Sequence, residues 1–497
     1  MSAAPFELEP DRATRERWLE ILASLVQDHL DALEHAPAVG VQGKAAEDIV
    51  RATRVPVPEE PLPGGIEAAA GILRRAALAS YNTPGPGYLA YIPGGGLFAS
   101  ALADLVANAL NRYTGISAPA PAFVALEAEV LAWLAGEFGY GPEAAGLFTT
   151  GGSLANWSAI VAARHAAFGD SGDFRAAVAY TSSQAHHSVA KALRLAGVPP
   201  GNLRAVSVDR RFRADPLDLR ARVRDDRARG LRPFLVVAAA GTTNTGAIDP
   251  LDELALICAG EGLWLHVDGA YGGAFVLCTE GKTRLRGIER AHSITFDPHK
   301  GMFLPYGTGC LLVRDGAVLR AAHAESAAYL QDIAHGPELP PSPADLGPEL
   351  SRDFRGLRVW LPLMLHGARA FRDALAEKLD LARAFHDGLL RLRAAQLPLE
   401  VVDEPQLTVV PFRLARRTDE PLPAWNRRNA TFLDAINARE RVFLSSTLLP
   451  GPDGEVFTLR VCVLSFRTHA HRMDQALEDV AAAAAADPAL SSARTPR

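Results

Sequence analysis

Trp264-Leu265-His266-Val267-Asp268-Gly269-Ala270-Tyr271 and, a little downstream, Thr295-Phe296-Asp297-Pro298-His299-Lys300-Gly301 decide the reading of this chain. In each run a short apolar segment of strand type ends on a charged group, an acid in the first and an acid and a lysine in the second. An acid and a lysine at neighbouring strand ends are the two side chains that a pyridoxal phosphate (PLP) site requires. The lysine amine forms a Schiff base with the cofactor aldehyde, and the carboxylate keeps the pyridine nitrogen protonated so that the ring acts as an electron sink. Asp and Lys are common residues, so the reading also needs an α/β pattern around them and phosphate-binding and ring-stacking candidates upstream.

The α/β pattern is present. Short apolar runs at 176–180, 204–208, 234–240, 263–267, 293–296 and 309–313 alternate with helical stretches such as 216–229 and 250–259. Val- and Ala-rich strands without polar alternation predict a mostly parallel sheet covered on both faces. Ligands in such sheets gather at the carboxyl ends of the strands, where Asp268, Asp297 and Lys300 fall. Helical periodicity also marks 14–35, 97–110, 123–134 and 360–379. A Pro-rich stretch, Val55-Pro56-Val57-Pro58-Glu59-Glu60-Pro61-Leu62-Pro63, reads as a linker or extended arm. The segment 334–350 has no periodicity, which marks a functional or mobile loop, and 491–497 reads as a frayed tail. The division expected is an N-terminal helical arm (1–85), a large α/β domain (86–360) and a small C-terminal α+β domain (361–490). The amphipathic helix at 14–35 needs something to pack on, and a second subunit is the expected partner.

Composition sets the outer bounds. At 497 residues with 48% hydrophobic content, the chain can bury a large core and hold more than one domain. Lys+Arg 51 against Asp+Glu 57 gives no electrostatic footprint for nucleic acid. No apolar run is long enough to span a bilayer. The first ten residues lack the basic and apolar regions of an export signal, which predicts a cytoplasmic protein. The four cysteines, at 258, 278, 310 and 462, have no metal-ligand spacing and read as reduced, buried thiols. Gly281-Lys282-Thr283 has the tail of a P-loop, but Val276 stands where the first glycine belongs.

Three further runs supply the upstream candidates. Phe148-Thr149-Thr150-Gly151-Gly152-Ser153-Leu154-Ala155-Asn156 opens a helix on glycines, leaving backbone N–H groups free to face a phosphate; it can equally be an ordinary loop and N-cap. Ser183-Gln184-Ala185-His186-His187-Ser188 starts another helix after a strand, and one histidine could lie over an aromatic ring or merely cap the helix. Gly241-Thr242-Thr243-Asn244-Thr245-Gly246 is a hydroxyl-bearing strand end or a simple turn.

Taken in order, Gly-Gly-Ser, Gln-Ala-His-His-Ser, Gly-Thr-Thr, His-Val-Asp-Gly-Ala-Tyr and Asp-Pro-His-Lys resemble the PLP-dependent group II amino-acid decarboxylases, which include aromatic-L-amino-acid, tyrosine, histidine and glutamate decarboxylases. The resemblance runs from about residue 88 to residue 479. It implies PLP fold type I and a homodimer with shared active sites. It makes Lys300 the Schiff-base lysine and Asp268 the partner of the pyridine nitrogen, with Ala270 on one ring face and His186 stacked on the other. Lys300, His186 and Asp268 form the catalytic set. Gly151, Gly152, Ser153 and His299 hold the phosphate, Asp297 replaces a common Asn, and Thr242 lies near the ring. Tyr91, Ile92, Pro93, Thr114 and Ile116 line the substrate pocket, partly across the dimer interface.

Two departures from the family pattern stand out. Leu154 replaces a common Glu. The loop tyrosine that protonates Cα in aromatic-type decarboxylases aligns near Pro343, and no tyrosine follows Leu330; Tyr329 lies before the loop. General-acid help of this kind is worth roughly 10²–10⁴-fold. Relatives with phenylalanine there are aldehyde synthases, which react with dioxygen and release an aldehyde and ammonia. His187, Tyr306 or water could donate instead. The expectation is decarboxylation of an aromatic or bulky apolar L-amino acid, since Ile92, Thr114 and Ile116 are mostly apolar and no basic residue is dedicated to glutamate. The alternatives are oxidative deamination to an aldehyde, transamination, or a non-catalytic binding module.

Overall fold

In the computed structural model, which describes residues 8–170, 173–325 and 339–487, seven strands form the central sheet. They are β1 (Ala145–Thr149), β2 (Ala177–Ser182), β3 (Leu203–Val206), β4 (Arg232–Ala239), β5 (Trp264–Gly269), β6 (Ser293–Phe296) and β7 (Gly309–Val313), in the order β1-β7-β6-β5-β4-β2-β3. Only β7 runs antiparallel to its neighbours. Each parallel step is joined through a helix, as parallel pairing demands. β2, β6 and β7 are buried along their whole length, because helices cover both faces. The sheet is α/β, as the alternation of runs predicts, but β1 is a strand that pattern omits.

The second sheet is antiparallel and smaller: β8 (Leu399–Val401), β9 (Val409–Leu414), β10 (Ser445–Gly451) and β11 (Gly454–Cys462), in the order β10-β11-β9-β8. It has its own core, with Phe385, Phe412, Phe432 and Val461 buried together. A long helix, Arg355–Ala394, leads into it. Residue 361 falls inside this helix, and the break comes at Gly367, whose φ of 72° interrupts the helical backbone. The stretch before the large sheet reaches across as well. Phe443 donates to the Gly87 carbonyl, Leu89 to Phe443, and Cys462 to Leu89, which places Leu89 in the small core.

The N-terminal helix spans Arg12–Ala32 and buries none of its residues. Trp18, Leu19 and Val26 on it are exposed, as are Leu102, Leu105, Val106 and Leu110 on the helix Phe98–Leu110. All four cysteines are free and buried. Among the described residues no helix is long and apolar enough to cross a membrane. Residues 334–338 of the expected loop, Tyr329 and the tail at 491–497 lie outside the described residues. The rest of the loop is packed. Ala344 donates to the Gly115 carbonyl, and Ser117 donates to Ser342 Oγ and to the Pro340 carbonyl. Pro343 is buried in a short 3₁₀ turn, Pro343–Asp345.

Candidate active site

The carboxyl ends of β5 and β6 lie side by side, with Asp268 opposite Thr295, so the two motif runs meet at one edge of the sheet. Asp268 is held from two sides: the Ala270 N–H reaches its Oδ1 at 3.1 Å, and Asn156 Nδ2 reaches its Oδ2 at 2.9 Å. Asp297 directly follows β6 and is buried. Pro298 then starts a one-turn helix, Pro298–Gly301, a position where a missing N–H does no harm. That turn brings Lys300 back over Asp297, with Nζ 2.8 Å from Oδ2. The lysine side chain is 26% exposed and the aspartate 2%, so the amine is accessible while its partner is not. The other carboxylate oxygen, Asp297 Oδ1, is buried with no hydrogen-bond partner among the described residues.

The glycine turn closes the next side. Gly151 caps the helix Gly152–Phe168, whose first N–H groups have no preceding turn to bond to. A Cβ on Gly152 would stand 3.0 Å from Asp297 Oδ2 and 3.1 Å from the Ala270 Cβ, and one on Gly151 would stand 3.6 Å from the His299 ring. Gly151, Gly152, Ala270, Asp297 and His299 therefore converge, and Ser153 is exposed in the first helical turn. His299 Nδ1 donates to the Thr308 carbonyl at 2.7 Å, and burial holds its imidazole below the usual pKa.

His186 caps the helix His187–Leu195, so the capping alternative is part of the answer. Its Nδ1 accepts from the Ser188 N–H at 3.3 Å and lies 2.8 Å from Ser188 Oγ. Burial lowers its pKa, against the attraction of Asp268, which raises it. Thr242 is buried, with its hydroxyl engaged in its own turn, 3.0 Å from Thr245 Oγ1 and 3.1 Å from the Ala247 N–H.

Directly after the expected substrate residue Pro93, Gly94 lies against the lysine turn. A Cβ on Gly94 would meet the His299 carbonyl at 2.9 Å, and Gly94 N lies 3.4 Å from the Tyr306 hydroxyl. Tyr91 is exposed, Ile92 half-buried and Pro93 buried. Thr114 and Ile116 are buried beside the 340–350 segment, where Gly115 takes the Ala344 hydrogen bond, and Thr114 Oγ1 has no partner among the described residues.

Asn156, Ser188 and His266 also belong to this cluster, and the motif reading omitted all three as site residues. Asn156 Nδ2 bonds Ser188 Oγ at 3.1 Å as well as Asp268, and Asn156 Oδ1 lies 3.0 Å from His266 Nε2. The signal for His266 was available in the sequence: two residues before Asp268 on a strand, it shares the face of that acid.

An accessible lysine on a buried acid, a carboxylate held at the adjacent strand end, and a glycine turn opening a helix beside both fit PLP by size and charge. With the mostly parallel seven-stranded sheet, they define a PLP-dependent enzyme of fold type I. The pyridoxal-dependent decarboxylase conserved domain matches residues 79–415. The aromatic-L-amino-acid decarboxylase of Bacillus atrophaeus is 34% identical over 399 residues, covering 80% of this chain and 81% of that protein. Phenylacetaldehyde synthase of Arabidopsis thaliana is 30% identical, covering 74% and 76%. The crystal structure of Catharanthus roseus tryptophan decarboxylase in complex with L-tryptophan superposes with a TM-score of 0.85 at 25% identity, covering 96% of this chain and 99% of that one. The chain belongs to the pyridoxal-dependent decarboxylase family. It is a PLP-dependent carboxy-lyase that decarboxylates an L-amino acid.

Proposed function

We propose that the substrate is an aromatic or bulky apolar L-amino acid, that the product is the amine, and that Lys300, Asp268 and His186 carry the reaction. The observation that carries this reading is the pairing of Lys300 with Asp297, beside Asp268, at a single sheet edge. Bound PLP supplies an aldehyde carbon for the lysine and a ring that takes up the electron pair left when carbon dioxide departs. The Asp297 carboxylate holds the Lys300 amine in place. Asp268, fixed by two N–H donors, would pair with the pyridine nitrogen of PLP and keep it protonated. Gly151, Gly152, Ser153 and His299 would hold the phosphate of PLP, and His186, Ala270 and Thr242 would hold its ring. Tyr91, Ile92, Pro93, Thr114 and Ile116 line the substrate pocket. The apolar character of Ile92 and Ile116 and the relative acting on aromatic L-amino acids support the substrate class.

A second reading, oxidative release of an aldehyde, is favoured by one observation. The family's loop-tyrosine position falls near Pro343, which carries no proton to give and is buried in its turn. Amine release needs one proton delivered to Cα; the aldehyde route instead consumes dioxygen and releases ammonia and hydrogen peroxide. The deciding assay supplies PLP and L-Phe, L-Tyr, L-Trp and L-Dopa to purified protein and follows carbon dioxide, amine, aldehyde and oxygen together, with Lys300→Ala as control. Carbon dioxide with equimolar amine and no oxygen uptake is expected. Aldehyde with oxygen uptake would replace the amine reading, and no carbon dioxide from any of the four would sink the substrate class.

The same proposal covers assembly and location. The apolar rows on the helices Arg12–Ala32 and Phe98–Leu110 would face water in a lone chain, which supports a homodimer, and the location proposed is the cytoplasm. It keeps the three-part division at 1–85, 86–360 and 361–490. A fully active monomer in a sedimentation dilution series would overturn the dimer.

A further inference from the structure

Asn156 sits at the branch point of a buried hydrogen-bond chain whose direction chemistry alone determines. Asp268 is a carboxylate and can only accept, so the amide nitrogen of Asn156 must face it. The second hydrogen of that nitrogen goes to Ser188 Oγ. The Ser188 backbone N–H points at His186 Nδ1, so that nitrogen is an acceptor and Ser188 Oγ turns its own hydrogen to it. His186 Nδ1 then accepts twice, from Ser188 Oγ and from the Ser188 N–H, and the ring proton must sit on Nε2. On the other side, Asn156 Oδ1 accepts from His266 Nε2–H. Ser293 Oγ donates to His266 Nδ1 at 2.8 Å and accepts from Trp264 Nε1 at 2.9 Å. Asn156, Ser188, His266 and Ser293 are all buried, so water does not compete for these bonds.

We propose that Asn156 is a positioning residue, whose one amide group sets both the pose of the Asp268 carboxylate and, through the Ser188 hydroxyl, the pose of His186. The inference rests on the reading that Asp268 and His186 flank the cofactor. One side chain thus aligns the two groups on the ring, and the His266–Ser293–Trp264 chain behind it locks the amide against flipping. The consequence for His186 is specific: it offers an Nε2–H, a donor, and not a lone pair, to whatever lies over the ring.

The test compares Asn156→Ala, Ser188→Ala, Ser188→Thr and Asp268→Ala. For each, PLP affinity is measured by titrating the cofactor-free protein, and the visible absorption of the PLP-loaded protein is followed against pH. Loss of one hydrogen bond to a charged group predicts PLP binding weakened roughly 10- to 100-fold in Asn156→Ala, together with a moved absorption midpoint. Ser188→Ala should lower kcat with little change in KM, and Ser188→Thr, which keeps the hydroxyl, should restore it. Asn156→Ala that binds PLP within twofold of wild type and titrates at the same pH, while Asp268→Ala does neither, overturns the proposal. If Asp268→Ala also leaves both unchanged, the reading of the site fails instead. Should Asn156→Ala not fold, Asn156→Asp takes its place: it keeps the shape but turns an acceptor toward Asp268, and unchanged PLP affinity and titration in it likewise overturn the proposal.

Discussion

Lowering the pH from 7.5 to 5 should cost the folded chain stability through His266, and replacing that histidine by Asn should remove this loss. The imidazole is fully buried, and burial pushes its pKa from the usual 6.5 down to about 4. Its surroundings are Asp268 on its own strand, Asn156 from the helix Gly152–Phe168, and Ser293 and Thr295 from β6. Only Asp268 is charged, and its attraction is outweighed by burial. Between pH 6.5 and 4 the unfolded chain takes up a proton that the folded chain refuses, so stability present above 6.5 is lost as the pH falls toward 4. A shift of this size is worth about 3 kcal/mol in full, of which about 2 kcal/mol is lost by pH 5. Other groups titrate in the same window with either sign: His292 falls to about 4, while Asp249 rises to about 6. The comparison therefore has to be a double difference. Urea unfolding of cofactor-free wild type and His266→Asn is measured at both pH values. The variant is expected to be the weaker protein at pH 7.5, because it loses buried hydrogen bonds, and the gap should close by about 2 kcal/mol at pH 5. Two stability curves that run parallel from pH 7.5 to 5 would refute the reasoning.

Other outcomes follow from the packing. Arg352 and Glu127 form a buried ion pair that also receives the Gly356 N–H at 3.2 Å. Arg352→Met leaves the carboxylate unpaired, and calorimetry should show a loss of about 3–5 kcal/mol. Gly152→Ala places a methyl 3.0 Å from Asp297 and 3.1 Å from Ala270; the expected result is PLP binding weakened about tenfold, read by fluorescence titration, with the fold retained. Lys300→Ala should abolish carbon dioxide release and, because it takes the amine away from the buried Asp297 carboxylate, also lower the thermal midpoint of the cofactor-free protein by several degrees.

The sequence discloses those parts of the fold whose signal is local. The runs at 293–296 and 309–313 coincide with β6 and β7, because both are short, uncharged and cleanly bounded. β1 escaped because Ala145–Thr149 contains a glycine and merges with the glycine run behind it; its partner is β7, more than a hundred residues away. The helix read at 360–379 extends over Arg355–Ala394 because Pro362 falls within its run and a kink at Gly367 joins two pieces. At the site, the motif residues Lys300, Asp268 and Asp297 were legible because strand-end position can be counted. Asn156 and Ser188 were not, since each sits on a helix among small residues and acquires meaning only when two helices and a strand meet. His266 could have been found, because Trp264, His266 and Asp268 alternate onto one face of β5 opposite Ser293 and Thr295.

The stitch between Gly87–Leu89 and the small sheet has a mechanical consequence. A few residues further on, the same stretch lies against the lysine turn, where a Cβ on Gly94 would strike the His299 carbonyl and one on Gly95 would strike Phe303. Arg467, from the small unit, clamps it there through the carbonyls of Pro84, Gly95 and Gly96. Any rocking of the small unit therefore pulls on the wall beside Lys300 as a lever pulls on its short arm. Hydrogen exchange at Leu89 and Cys462 would report on the lysine turn from outside it, slowing when ligand stills the lever.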